Sequence, residues 1–222
     1  ETDNIDVDIE DISSGGGADT LTGDGDANAL SAGAGVDSLA GGLGDDTLTG
    51  GAGNDTYVEG AASSGNDTFT EAAAEGTDLV DYSGRSNAVS ASIDGAGNDG
   101  ESGETDNIDV DIEDISSGGG ADTLTGDGDA NALTGGLGND TLTGGAGNDT
   151  YVEGSATSGN DTFTEANAEG TDLVDYSARS NAITADIDGT ADDGESGETD
   201  NIDVDIEDIS SGGGADTLTG DG

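Results

Sequence analysis

Residues 41–58 read GGLGDDTLTGGAGNDTYV, two consecutive nonamers built on one plan. Each sets a run of glycines before an aspartate, Asp46 or Asp55, and a large apolar residue two places later, Leu48 or Tyr57. The triplet TLT reads as a short strand with its middle side chain turned inward and threonine outward on either side. The six residues before it form a turn, where glycine supplies positive φ and keeps side chains out of the way. A turn of six and a strand of three make half a coil of a flattened solenoid.

Working outward, the same spacing places Asp19, Asn28, Asp37, Asp46 and Asp55 nine residues apart, followed by looser copies at Asp67 and Asp78. A second series has Asp122, Asn131, Asp140 and Asp149, then Asp161 and Asp172, and Asp216 follows. A longer repeat lies over the short one. ETDNIDVDIEDISSGGGADTLTGDGDANAL occupies 1–30, recurs unchanged at 104–133, and its first 25 residues recur at 198–222. This divides one continuous array into long units 1–103 and 104–197 and a partial unit 198–222. The second unit is nine residues shorter, because SAGAGVDSL (31–39) with its flanking Ala40 has no counterpart after Leu133. Nine residues is thus the quantum of the architecture, and residues after Leu133 are expected to change edge relative to their first-unit equivalents. Ending in mid-unit, the sequence reads as part of a longer tandem array.

Composition sets a paradox. The 222 residues carry 52 acidic and 2 basic side chains, a formal charge of −50, with 30% hydrophobic residues and a mean hydropathy of −0.47. Such a chain has too little apolar surface to offset the entropy of ordering it and reads as disordered in plain water. The strict periodicity argues otherwise, and a positively charged component resolves the conflict. Nucleic acid is excluded as a partner, since there is no basic patch to meet phosphate. Membrane insertion is excluded as well: no apolar run approaches a spanning length, and an anionic surface would repel the chain. With no cysteine and no histidine, all available ligands are oxygens, which suit hard cations such as Ca²⁺.

The copies GGLGDDTLT (41–49), GGLGNDTLT (135–143) and GGAGNDTYV (50–58 and 144–152) resemble the RTX, or haemolysin-type calcium-binding, nonapeptide G-G-x-G-x-D-x-U-x. The resemblance implies an all-β, calcium-stabilised parallel β-roll, a β-solenoid of stacked half-coils. Ca²⁺ would sit between turns stacked on one edge, with Asp19, Asp37 and Asp55 on one side and Asn28 and Asp46 on the other. The carried-over ligands are those two Asn and twelve Asp positions, together with carbonyls of the glycine turns at Gly15, Gly17, Gly42, Gly44, Gly51, Gly53, Gly136, Gly138, Gly145 and Gly147. Roughly a dozen ions would neutralise about half of the charge, so that binding and folding form one equilibrium. The resemblance also implies a secreted, extracellular protein delivered by a type I system.

Other signals are weighed against bland readings. DGDANALSAGAG (24–35) fails as an EF-hand loop, with Ala29 in place of the glycine and Gly35 in place of the glutamate. NIDVDIEDI alternates strictly, with Ile108, Val110 and Ile112 against Asp109, Asp111 and Glu113. That pattern fits one half-buried strand with a solvated acidic face, or a row of extra surface cation sites. Arg85 and Arg179 stand at equivalent places and read as salt-bridge partners for nearby carboxylates; an exposed pair would add little. No nucleophile–base set can be assembled without histidine, cysteine or lysine, so no enzyme is expected.

Three functions remain open. One is an extracellular structural repeat module, a rigid stalk or filament of a large secreted or surface protein, self-associating end to end or laterally. The second is a calcium-dependent folding and secretion module for an attached hydrolase or toxin. The third is an ice-binding or surface adhesin repeat, raised by the outward threonines.

Overall fold

A computed structural model describes residues 9–71, 76–165 and 170–220; the first copy of ETDNIDVD, at 1–8, lies outside them. Every named element is a β-strand, and most are three residues long. They form two faces of a parallel roll. One is an 11-stranded sheet and the other a 9-stranded sheet, with a further 3-stranded sheet. Consecutive nonamers alternate between the faces, as the half-coil reading requires. Thr20–Thr22, Ser38–Ala40 and Thr56–Val58 stack in parallel on the smaller sheet; Ala29–Ala34, Thr47–Ala52 and Thr68–Thr70 stack on the larger.

The register places like on like. On the smaller sheet Leu21, Leu39, Tyr57, Val80, Ile115, Leu133, Tyr151 and Val174 form an unbroken row. On the larger sheet Leu30, Leu48, Phe69 and Ile108 form one row, and Ala91, Leu124, Leu142, Phe163 and Ile202 another. All belong to a single buried cluster. Tyr57 and Phe69 pack across it with ring centroids 5.6 Å apart at 56°, and Tyr151 and Phe163 repeat the contact. One inward side chain per half-coil is a thin core. Around it, the regular coils bury backbone and carboxylate.

Three sequence readings change here. NIDVDIEDI is not one strand: Asp106–Ile108 lies on the larger sheet and Asp114–Ser116 on the smaller, with a turn closed by Ile112 N donating to Asp109 O. Val110 at that turn is 49% exposed, while Ile108 and Ile112 are buried. Alternation alone could not reveal the break, because the chain must cross an edge to supply both faces.

The second change concerns the preceding hairpin. Val89–Ser92 and Gly97–Glu101 run antiparallel, and Gly97–Glu101 also pairs antiparallel with Asp106–Ile108. The larger sheet therefore has three strands between Thr68–Thr70 and Thr123–Thr125, where the smaller has only Asp114–Ser116 between Leu79–Asp81 and Ala132–Thr134. The irregular segment widens one face of the roll.

The third change is the edge switch. Leu142 and Tyr151, after the deletion, share faces with their equivalents Leu48 and Tyr57; Ile115, Leu124 and Leu133, before it, lie opposite to Ile12, Leu21 and Leu30. The first unit contains an odd number of half-coils, so its successor starts out of phase, and losing nine residues restores the phase.

Candidate metal centre

The strand-and-turn geometry places the recurring aspartates in two columns, one along each edge. In the first, Asp19 N donates to Asp37 Oδ1 (2.7 Å), Asp37 N to Asp55 Oδ1 (2.8 Å) and Asp55 N to Asp78 Oδ1 (2.7 Å). In the second, Asn28 N donates to Asp46 Oδ1 and Asp46 N to Asp67 Oδ1. The second unit repeats both ladders, through Asp122, Asp140 and Asp161 and through Asn131, Asp149 and Asp172. Each carboxylate thus spends one oxygen tying its coil to the one before.

The other oxygen is left over. Oδ2 of Asp37, Asp46, Asp55, Asp67, Asp122, Asp140, Asp149 and Asp172 is buried and has no hydrogen-bond partner among the described residues. Burying an unpaired carboxylate oxygen is costly, and here the cost recurs along both columns. Room for it is made by the first glycine of the turn: a Cβ on Gly41 would collide with Asp46 Oδ2, and one on Gly135 with Asp140 Oδ2. The later turn glycines have a different job. Gly53 (φ 125°) and Gly138 (φ 146°) lie so close to the carbonyl oxygens of Gly35 and Gly120 that no side chain fits. Gly17, Gly42, Gly44, Gly51, Gly136, Gly145 and Gly147 share the positive φ, whereas a Cβ on Gly15 would meet open space.

The electrostatics follow from burial. Desolvation pushes the carboxyls of Asp78 and Asp149 up to about 6, those of Asp106 and Asp140 to about 7 and that of Asp200 to about 8, and neighbouring carboxylates push in the same direction. At neutral pH protons compete for the highest of these sites, and a cation bound there would displace them. Calcium accepts six to eight hard oxygens in tolerant geometry at about 2.3–2.6 Å. Unpartnered carboxylate oxygens beside stacked glycine carbonyls fit that demand.

Not every predicted ligand is equivalent. Asn28 Oδ1 and Asn131 Oδ1 accept from Asp24 N and Asp127 N of their own turns (both 2.8 Å), so neither leaves an oxygen free on the pattern of its aspartate neighbours. Asp161 Oδ2 accepts from Ser158 Oγ at 2.9 Å. Asp19 and Asp216 are half-buried; Asp216 Oδ1 accepts from Ile183 N at 3.1 Å.

Several column members escaped the sequence reading. Asp67 N donates to Asp106 Oδ1 (2.9 Å) and Asp78 N to Glu113 Oε2 (2.8 Å); Asp200 and Glu207 repeat these bonds in the second unit. The signal was present: Asp106 and Glu113 each stand two residues before a buried isoleucine, Ile108 or Ile115, as in the nonamers. Glu71 and Glu165 were also missed. Asp55, Glu71 and Asp78 form one three-carboxylate group whose oxygens lie within 4.8 Å of one another; Asp149, Glu165 and Asp172 form a second, and Asp186, Asp192 and Asp193 a third.

The arginines are buried rather than exposed. Arg85 is 2% exposed and meets Glu59 (2.7 Å), Glu104 (3.2 Å) and Glu101 (3.5 Å); it also donates to Ser64 Oγ and lies 5.9 Å from the Tyr82 ring centroid. Arg179 repeats the arrangement with Glu153, Glu198 and Glu195.

A two-faced parallel roll with a buried carboxylate column on each edge is a metal-binding β-solenoid. The model of the RTX calcium-binding nonapeptide repeat (4 copies) matches residues 8–39, 31–58 and 116–151. The chain carries RTX calcium-binding nonapeptide repeats and is a calcium-binding repeat module. Comparison with curated proteins gives no match.

Proposed function

We propose that the chain is a rigid, calcium-stiffened segment of a stalk or filament in a large secreted or cell-surface protein, with the aspartate columns as its ligands. The observation that carries this reading is the way one long unit docks on the next. Thr123–Thr125, which opens the regular repeats of the second unit, pairs in parallel with Val89–Ser92 of the first. Thr217–Thr219 pairs in the same way with Ile183–Asp186. The units abut through these strand pairs, and their hydrophobic core is shared. Each unit offers the next a strand edge, the arrangement by which solenoid arrays propagate. Calcium supplies the charge that makes stacking tolerable at −50. This favours a load-bearing array over a single folding tag.

Negative-stain microscopy and small-angle scattering of the chain, in calcium and in EGTA, test the reading. Rods that associate end to end or side by side in calcium support it. Short particles that stay monomeric at every calcium concentration count against a filament.

A further inference from the structure

The position just after the strand triplet is glycine in most regular coils, at Gly23, Gly41 and Gly50, and Ala32 in the coil of Asn28. In two coils of the first unit it is glutamate: Glu59 after TYV and Glu71 after TFT. The second unit repeats the substitution at Glu153 and Glu165. A carboxylate in place of the smallest residue, on an edge already crowded with carboxylates, needs a counter-charge. Glu59 and Glu153 have theirs, since Arg85 and Arg179 bind them in buried salt bridges. Those arginines are the chain's only basic residues. Among the described residues, no cation pairs with Glu71 or Glu165.

Their surroundings are built for one. Glu71 Oε1, Asp55 Oδ2 and Tyr57 Oη converge on the space that a Cβ of Gly50 would fill; Glu165 Oε1, Asp149 Oδ2 and Tyr151 Oη converge in the same way on Gly144. Asp55, Asp149 and Asp172 are each 1% exposed, and Oδ2 of all three is unpartnered, as is Glu165 Oε2. The glutamate is held in place: Tyr57 Oη donates to it, lies 2.7 Å from Thr70 O and accepts from Gly50 N (2.8 Å), and Gly51 N donates to Glu71 Oε2 (3.0 Å). From Glu71 to Asp78 the sequence reads EAAAEGTD, with Gly76 as its single glycine.

We propose that Glu71 and Glu165 are metal ligands, each completing a three-carboxylate calcium centre with Asp55 and Asp78 or with Asp149 and Asp172, one per long unit and of higher affinity than the sites between regular coils. The proposal rests on the calcium-binding reading of the edge columns. It adds a ligand outside the nonapeptide pattern. Three carboxylates on one hard cation raise the charge density at the ion, the lever that tunes calcium affinity in oxygen sites. The arginine coil and the glutamate coil are then two answers to one problem: an internal cation in one, a bound ion in the other.

Terbium is the probe, because Tyr57 and Tyr151 touch the proposed ligands and can sensitise its emission. The chain of 222 residues should give tyrosine-excited terbium emission that calcium displaces. Glu71→Gln with Glu165→Gln should weaken the tightest class of calcium sites by about tenfold or more, and should remove most of the sensitised emission. The calcium-induced β signal at saturation should remain. Unchanged emission and calcium affinity in that variant would overturn the proposal. Should the double variant fail to fold, Tyr57→Phe with Tyr151→Phe retains both glutamates. That variant should lose the share of the emission that these two tyrosines sensitise and, with the hold on each glutamate gone, should bind calcium more weakly than the unaltered chain; emission as strong as in the unaltered chain would place the ion elsewhere and overturn the proposal too. Failure of the wider calcium reading looks different: no β signal would develop with calcium in the unaltered chain.

Discussion

Asp46 donates its backbone N–H to Asp67 Oδ1 at 2.8 Å, while Asp67 Oδ2 is buried with no hydrogen-bond partner among the described residues. One carboxylate is therefore both a rung of the fold and an open ligand. The division of labour between its two oxygens makes the dependence on metal testable atom by atom.

Asp140→Asn keeps an oxygen for the Asp122 amide and replaces Oδ2 with an amide nitrogen that cannot bind a cation. The calcium concentration at the folding midpoint should rise, with the spectrum at saturation unchanged. Asp140→Ala, which loses the rung as well, should be worse in both respects. Circular dichroism during calcium titration reads both.

Proton and calcium compete for the same oxygens. Burial lifts the carboxyls of Asp78 and Asp149 to about 6, those of Asp106 and Asp140 to about 7, and that of Asp200 to about 8, against about 4 in an unfolded chain. A group whose folded pKa is raised favours the fold while protonated. That stabilisation is complete below about pH 4 and is lost as pH rises through roughly 6 to 8. In EGTA the β signal should therefore grow on acidification and disappear across that window. With calcium the trend reverses, because ionised carboxylates bind the ion. A calcium-free chain equally unfolded at both ends of the pH scale would contradict this.

Gly53→Ala forces a side chain into left-handed backbone against the Gly35 carbonyl. It should cost at least about 1–2 kcal/mol, measured by urea unfolding in saturating calcium. Gly15→Ala, where a Cβ meets open space, is the control and should be close to neutral.

Arg85→Ala strands Glu59 and Glu104 in the interior, each less than 10% exposed. Breaking a buried pair by removing one partner costs about 3–5 kcal/mol. Calcium-saturated unfolding should show that loss, and Arg179→Ala should reproduce it in the second unit. An effect below 1 kcal/mol, the range of an exposed pair, would show that water reaches the cluster.

The regular coils were legible because their geometry is local. An aspartate two residues before Leu48, behind a glycine turn, specifies strand, turn and column position together. The irregular segment was not. A strict alternation such as that of Ile108, Val110 and Ile112 looks the same whether the chain runs straight or crosses an edge at Val110. The hairpin Val89–Ser92 with Gly97–Glu101 is tied into the sheet on one side by Thr123–Thr125 and on the other, through Asp106–Ile108, by Thr68–Thr70, both distant in the sequence. Burial of Arg85 depends on Glu59, 26 residues away, and on Glu104, 19 residues away. No short window contains those partners.

The most direct test of the central claim is circular dichroism of the chain during a calcium titration, with EGTA reversal and magnesium as control. A cooperative gain of β signal with calcium, absent with magnesium and reversed by chelation, is the predicted result. A β-rich spectrum already present in EGTA at neutral pH would contradict it. The thin apolar core would then suffice to hold the fold, and the unpartnered aspartate oxygens would not be waiting for an ion.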